Sequence, residues 1–220
     1  MRSRAKSLLP TRCAGCDRPG AVLCGSCRAA FVAPPPLPAR LRPAVALGRH
    51  SGALRRCVLA LKYRDAPAVA GALAPMLALV VEAAGFAVPD AVVPAPTTAA
   101  RVRKRGYDPA AVIAAALAAE LGLAVASPLV RRPGPAQQDA HDRAARVAPR
   151  PFRYLVAGVP PPACLVVDDV VTTGTTLAAA RRALVAHGCA VSTAVVSAAP
   201  ISSRVDGPHD PDRMCPRAQT

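Results

Sequence analysis

The sequence predicts an α/β domain with a largely parallel sheet and flanking helices, preceded by a small cysteine-bound module. Three observations carry this reading. From Ala91 onward, short apolar runs alternate with helical patterns, as repeated strand and helix units do. Residues 163–167 (ACLVV) are apolar without a break, which marks a strand buried on both faces. Four of the eight cysteines fall within fifteen residues near the N-terminus.

The bulk numbers set the frame. A chain of 220 residues suits one main domain plus a small appendage. Apolar residues make up 52% and aromatics 3%, so the core must be built from small side chains, chiefly Ala and Val. The absence of Asn and Trp and the 25 Pro read as a bias of the source genome, which weakens Pro as a linker signal. The formal net charge is +15, and residues 1–65 hold thirteen Lys or Arg against Asp17 and Asp65. Such a surplus fits a face for polyanions, and it equally fits solubility combined with codon bias. Residues 1–10 are basic but lack the apolar stretch of a signal peptide. The longest apolar run, residues 71–89, is broken by Pro75 and Glu82 and falls short of a membrane span. The expectation is a cytoplasmic protein without membrane insertion, whose cysteines are thiols or metal ligands rather than disulfides.

Taken in order, residues 1–32 form the cysteine module, and residues 33–50 a Pro-rich linker whose end, residues 44–49, has strand character. Residues 51–200 form the main domain. Ser51 is placed to cap a helix over residues 53–63, and residues 67–84 continue as one or two helices bent at Pro75. Residues 91–95 form a strand, and a basic loop follows over residues 97–107. Asp108-Pro109 opens a helix that ends at Gly122, because Asp caps well and Pro suits the first helical position. Residues 123–126 are a brief strand. Residues 128–151 show no apolar periodicity and read as a lid or a disordered stretch. Strands follow at residues 152–156 and 163–167, then a helix from Thr175 to His187 closed by Gly188, and a strand over residues 190–198. Residues 201–220 read as a disordered tail.

Cys13, Cys16, Cys24 and Cys27 have the spacing C-x2-C-x7-C-x2-C. A single CxxC would leave a redox pair open; two so close together supply four thiolates for a closed, structural zinc site. Cys57, Cys164 and Cys189 sit in apolar surroundings and read as buried fillers. The four His are too scattered to suggest a catalytic arrangement.

The chemistry concentrates in residues 165–176, LVVDDVVTTGTT. An apolar strand ends in Asp168 and Asp169, and a turn of Thr172, Thr173, Gly174, Thr175 and Thr176 leads into a helix. Such a turn offers backbone N–H groups and hydroxyls to an anion. Ionised carboxylates accept hydrogen bonds from vicinal hydroxyls. The same turn can therefore hold a phosphate at one end and sugar hydroxyls at the other. It lacks the lysine of a Walker A loop.

This segment resembles the phosphoribosyl pyrophosphate (PRPP) motif of type I phosphoribosyltransferases. Together with the CxxC pairs, the chain resembles the ComF family, phosphoribosyltransferase-like proteins of bacterial DNA uptake and utilisation. Gly52-Ala-Leu-Arg-Arg with Ala60-Leu-Lys62-Tyr-Arg64, and Val92-Val-Pro-Ala-Pro96 with residues 101–107, carry the likeness further, as do Gln138 and Arg146. The resemblance implies that Asp168 and Asp169 bind the ribose hydroxyls and that residues 172–176 bind the 5′-phosphate. It implies that Arg103, Lys104, Arg105 and Gly106 lie near pyrophosphate, that Mg²⁺ accompanies PRPP, and that residues 129–151 close over the site. It names no acceptor and no catalytic residue. Besides a transferase, two other readings stand: a protein that handles single-stranded DNA and keeps a PRPP-like pocket, and a zinc knuckle that recruits a competence or recombination partner.

Overall fold

A computed structural model of the chain describes residues 11–64, 66–133 and 152–200. Among them the elements run α1 (Gly25–Ala29), a 3-10 turn (Ala39–Leu41), β1 (Ala44–Arg49), α2 (Gly52–Tyr63), α3 (Ala68–Ala83) and β2 (Ala91–Pro94). There follow α4 (Ala99–Arg105), α5 (Pro109–Leu121), β3 (Ala124–Val125), β4 (Leu129–Pro133), β5 (Phe152–Val156), β6 (Ala163–Val171), α6 (Thr175–Val185) and β7 (Ala190–Ala198). Five strands form one sheet in the order β1-β7-β6-β2-β3, and every neighbouring pair in it is parallel. Strands β4 and β5 pair antiparallel as a separate ribbon.

The continuous apolar run puts β6 at the centre, with a core on each face. Leu165 and Val167 join the cluster shared with α2, α3 and α5. Cys164 and Val166 join the cluster shared with α6 and the 3-10 turn. This alternation is the two-residue period of a strand. Ala at many helix positions lets α3, α5 and α6 pack without large side chains, as the composition implies. Cys57, Cys164 and Cys189 are buried within these clusters.

Several boundaries differ from those read in the sequence. Residues 44–49 are a strand, as read, but they form the edge of the main sheet rather than the end of a linker, with Ala44 opposite Thr193. Residues 68–83 are one helix that contains Pro75. The basic segment expected as a loop holds α4, because Thr98 accepts from the Arg101 N–H at 3.3 Å and Gly106 ends it at φ 82°. Residues 129–133, expected as part of an irregular stretch, are a strand, since β5 supplies a partner from far along the chain. Strand β6 runs on through both aspartates to Val171 instead of stopping at Val167. Asp108 caps α5 as expected, accepting from the Ala110 N–H at 3.0 Å. Ser51 holds the N-cap position of α2, but no hydrogen bond to its side chain caps the helix. The expectations for residues 134–151 and 201–220, including Gln138, Arg146 and the tail, lie outside the described residues.

Candidate functional site

The strand order creates one special place. After β2 the chain crosses through α5 to β3, and after β6 it crosses through α6 to β7, in the opposite direction along the sheet. Right-handed crossovers of opposite direction put α5 and α6 on opposite faces and leave a crevice beyond the carboxyl ends of β2 and β6. A cavity of about 270 Å³ lies there, lined by Asp168, Asp169 and Thr176 from the β6 side. Thr97, Arg101, Arg105 and Asp108 line it from the β2 side, Lys62 from α2, and Arg131 from β4.

The β6–α6 turn forms a small adjoining pocket whose walls are Asp168 and residues 170–177. Gly174 adopts φ 76°, a left-handed conformation that side-chain-bearing residues rarely take. The pocket therefore lies at the start of α6, whose first N–H groups have no partner within the helix. The Thr173 and Thr175 hydroxyls lie 3.0 Å apart at its exposed rim.

The two carboxylates have different surroundings. Asp169 is buried and pairs with the Lys62 ammonium at 2.9 Å. Behind it, the Ser197 hydroxyl donates to the Asp169 carbonyl at 3.4 Å and lies 2.8 Å from His50 Nδ1. Burial, with the Lys62 and Arg55 charges, holds the His50 imidazole below its usual range. The Asp168 carboxylate accepts from the Asp169 N–H at 2.8 Å. Burial first, then the neighbouring Asp169 charge, push the Asp168 carboxyl well above its usual range.

On the opposite side, helix α4 sorts the basic residues by its 3.6-residue period. Arg101 and Arg105, four apart, both face the cavity. Lys104 lines a neighbouring groove with Lys62, Tyr63, Arg101, Arg105 and Tyr107. Arg103 is exposed and lines neither, and Gly106 serves as the helix cap. The Arg105 guanidinium lies 5.3 Å from the Tyr63 ring centre. Asp108 also accepts from the Thr97 N–H at 2.8 Å, which ties the end of the β2 loop to the start of α5. Arg131 stacks on Phe152 at 3.6 Å, and Tyr154, beside it, donates from its hydroxyl to the Pro96 carbonyl at 2.7 Å. Arg101, Asp108 and Arg131 thus line the cavity without having been singled out for it from sequence. The four-residue spacing of Arg101 and Arg105 was a usable signal for the first; no local pattern marks Arg131.

The cysteine module sits against the opposite end of α2. Its four Sγ atoms lie within 4.8 Å of one another, with Cys16 and Cys24 at 3.7 Å. Tetrahedral zinc with Zn–S of about 2.3 Å requires sulfurs about 3.8 Å apart, so the donor set fits that ion. A Cβ on Gly15 would meet Cys27 Sγ at 2.7 Å, so the first knuckle needs glycine there. The Cys24 N–H donates to Cys13 Sγ at 3.3 Å. Burial opposes ionisation of Cys13, yet backbone N–H groups of Cys24, Cys16 and Gly15 bring its thiol down to about 6. Cys13, Leu23 and Cys27 share a core cluster with α2, and Arg56 donates to the Gly15 carbonyl, so the module is docked on the main domain. No described helix is long and apolar enough to cross a membrane.

Comparison with known proteins gives a family match. Residues 102–215 match the family model described as the phosphoribosyl transferase domain. Among solved structures, the chain is similar to adenine phosphoribosyltransferase from Leishmania donovani, with 14% identity and a TM-score of 0.38 over 66% of this chain and 74% of that one. It is also similar to Trypanosoma cruzi hypoxanthine phosphoribosyl transferase, with 15% identity and a TM-score of 0.36 over 67% and 71%. No curated protein matches the chain.

Proposed function

We propose, from the premise that this chain belongs to the phosphoribosyl transferase domain family, that the crevice binds PRPP or a ribose 5-phosphate group and serves transfer of the phosphoribosyl unit. The observation that carries the reading is the opposition, across one crevice, of a carboxylate pair with its adjoining Thr- and Gly-rich turn and a cluster of cations. Asp168 and Asp169 would accept from the ribose 2′- and 3′-hydroxyls. The residue 172–176 turn would hold the 5′-phosphate through N–H groups and hydroxyls. Arg105, with Arg101 and Lys62, would face the pyrophosphate and stabilise charge that builds on it as the bond to C1′ breaks. Mg²⁺, bound with the ligand, would neutralise pyrophosphate charge and be held mainly by ligand oxygens and water. Residues 95–97 and Arg131 would border the ligand and limit water access.

The N-terminal module is proposed to hold one structural zinc per chain, and the pairing of module and pocket is that of ComF-like proteins. Metal analysis should find one zinc in the wild type and none in Cys16→Ser/Cys24→Ser; zinc retained in that variant rules out the assignment.

One observation favours a second reading. The groove beside the cavity collects four cations and two tyrosines, a combination suited to single-stranded nucleic acid. A DNA-handling protein that keeps the sugar-phosphate pocket would bind single strands with an affinity that drops steeply as salt rises. Affinity that is absent or flat with salt removes this alternative.

The primary reading is tested by calorimetric titration of Mg²⁺ and PRPP into the wild type and into Asp168→Asn/Asp169→Asn. Binding in the first and loss in the second is the expected result. No binding by the wild type overturns it.

A further inference from the structure

The Pro-rich segment between the module and β1 is more than a connector. It is tied down at both ends: the Val32 carbonyl accepts from the Arg49 N–H at 2.8 Å, and the Pro43 carbonyl accepts from the Thr193 N–H of β7 at 3.0 Å. Between these ties it passes along the outside of the β6–α6 turn. Leu41 is 1% exposed within the α6-side core, so the segment is anchored there by burial. A Cβ on Gly174 would meet Leu41 Cδ1 at 3.0 Å and Pro38 Cγ at 3.3 Å. Next to them, the Arg40 guanidinium donates to the Thr173 carbonyl, 133 residues away in sequence.

We infer that the strap around Pro38–Leu41 is an outer wall of the phosphate turn and that Arg40 is a positioning residue for it. The Thr173–Gly174 bond is trans, since the cis bond among the described residues is Arg42–Pro43. In a trans peptide the carbonyl and the next N–H point in opposite directions. Arg40 holds the Thr173 carbonyl to the outside, so the Gly174 N–H is directed the other way. If that peptide turned over, a carbonyl oxygen would replace an N–H donor in a place meant for an anion. Gly174 has the conformational freedom to allow such a turn-over. Arg40 supplies a charged, multi-donor grip that opposes it. Leu41 and Pro38 fill the space behind Gly174 and hold Arg40 at its station.

The inference rests on the reading of the turn as a 5′-phosphate site, and the test separates the two. Ribose 5-phosphate and Mg²⁺-pyrophosphate are titrated separately into zinc-loaded wild type, Arg40→Ala and Arg40→Lys. Loss of one donor to a phosphate corresponds to roughly a tenfold weakening. Arg40→Ala should show that loss for ribose 5-phosphate and leave pyrophosphate affinity and the thermal midpoint unchanged. Arg40→Lys, which keeps one charged donor, should recover part of it. A purely structural Arg40 would instead lower the midpoint or weaken both ligands alike, and that result overturns the inference. Wild-type binding of ribose 5-phosphate with Arg40→Ala unaltered overturns it alone. Failure of the wild type to bind ribose 5-phosphate overturns the phosphate-site reading and this inference with it.

Discussion

At the β6–α6 end of the crevice the surfaces offered to a ligand are backbone and short hydroxyls; at the α4 end they are the tips of long cations. The first end is fixed from behind: Gly174 is buried, Leu41 and Pro38 close on it, and the strand beneath it is buried on both faces. The second end stands on a seven-residue helix with no buried residue, and Arg101 is exposed to solvent. An anion at the first end would be recognised by shape, through N–H groups on a turn fixed before it arrives. An anion at the second end would be recognised by charge, through side chains that must be ordered around it. Shape recognition should be sensitive to single atoms and indifferent to salt; charge recognition should be the reverse.

The largest effect is expected from Gly174→Ala. The new Cβ forces a left-handed residue and meets Leu41 at 3.0 Å. The free turn can relieve strain of this kind, about 1–3 kcal/mol, by leaving the left-handed conformation, and binding must then restore it, so ribose 5-phosphate affinity should fall by up to roughly a hundredfold while pyrophosphate binding stays near wild type. Equal losses for the two ligands in calorimetry would break the comparison. A smaller effect is expected from Arg101→Ala/Arg105→Ala. Pyrophosphate affinity should drop about tenfold at low ionic strength, and the gap should narrow as salt screens the cations. A gap that persists unchanged in high salt would mean that these arginines act by shape too.

The smallest effect concerns stability and pH. Burial and then Asp169 raise the Asp168 pKa in the folded chain. The folded state therefore keeps a proton that the unfolded state has lost, and wild-type stability should decline as pH rises from the ordinary carboxylate range through the raised folded value. Asp168→Asn carries no such charge. Its thermal midpoint should vary less with pH and lie somewhat above the wild type at neutral pH, while its ligand affinity is reduced. Thermal melts between about pH 4 and 8 decide this, and a midpoint below wild type at neutral pH refutes it.

The same contrast explains what the sequence made legible. The β6–α6 turn and the four-cysteine module are local: their donors lie within a few residues, so spacing reveals them. The continuous run Ala163–Val167 announced a doubly buried strand, but the aspartates hid its last four residues, because only tertiary partners such as Lys62 make an acidic strand end tolerable. Helix α4 looks like a loop in sequence because a run of Arg and Lys has no apolar face to show. Strand β4 exists through a partner that begins at Phe152, and no local pattern could reveal it. Lys62, Arg40 and Arg131 reach the site or its surroundings from three elements distant in sequence; Lys62 lies in a stretch that carries the resemblance, but its contact with Asp169, like the placement of Arg40 and Arg131, depends on the sheet order.

The most direct measurement is a crystal structure of the zinc-loaded chain with Mg²⁺ and PRPP. The 5′-phosphate is expected within the residue 172–176 turn, the ribose hydroxyls on Asp168 and Asp169, and the pyrophosphate toward Arg101 and Arg105. A ligand bound with its pyrophosphate in the turn, or outside the crevice between β2 and β6, would contradict it.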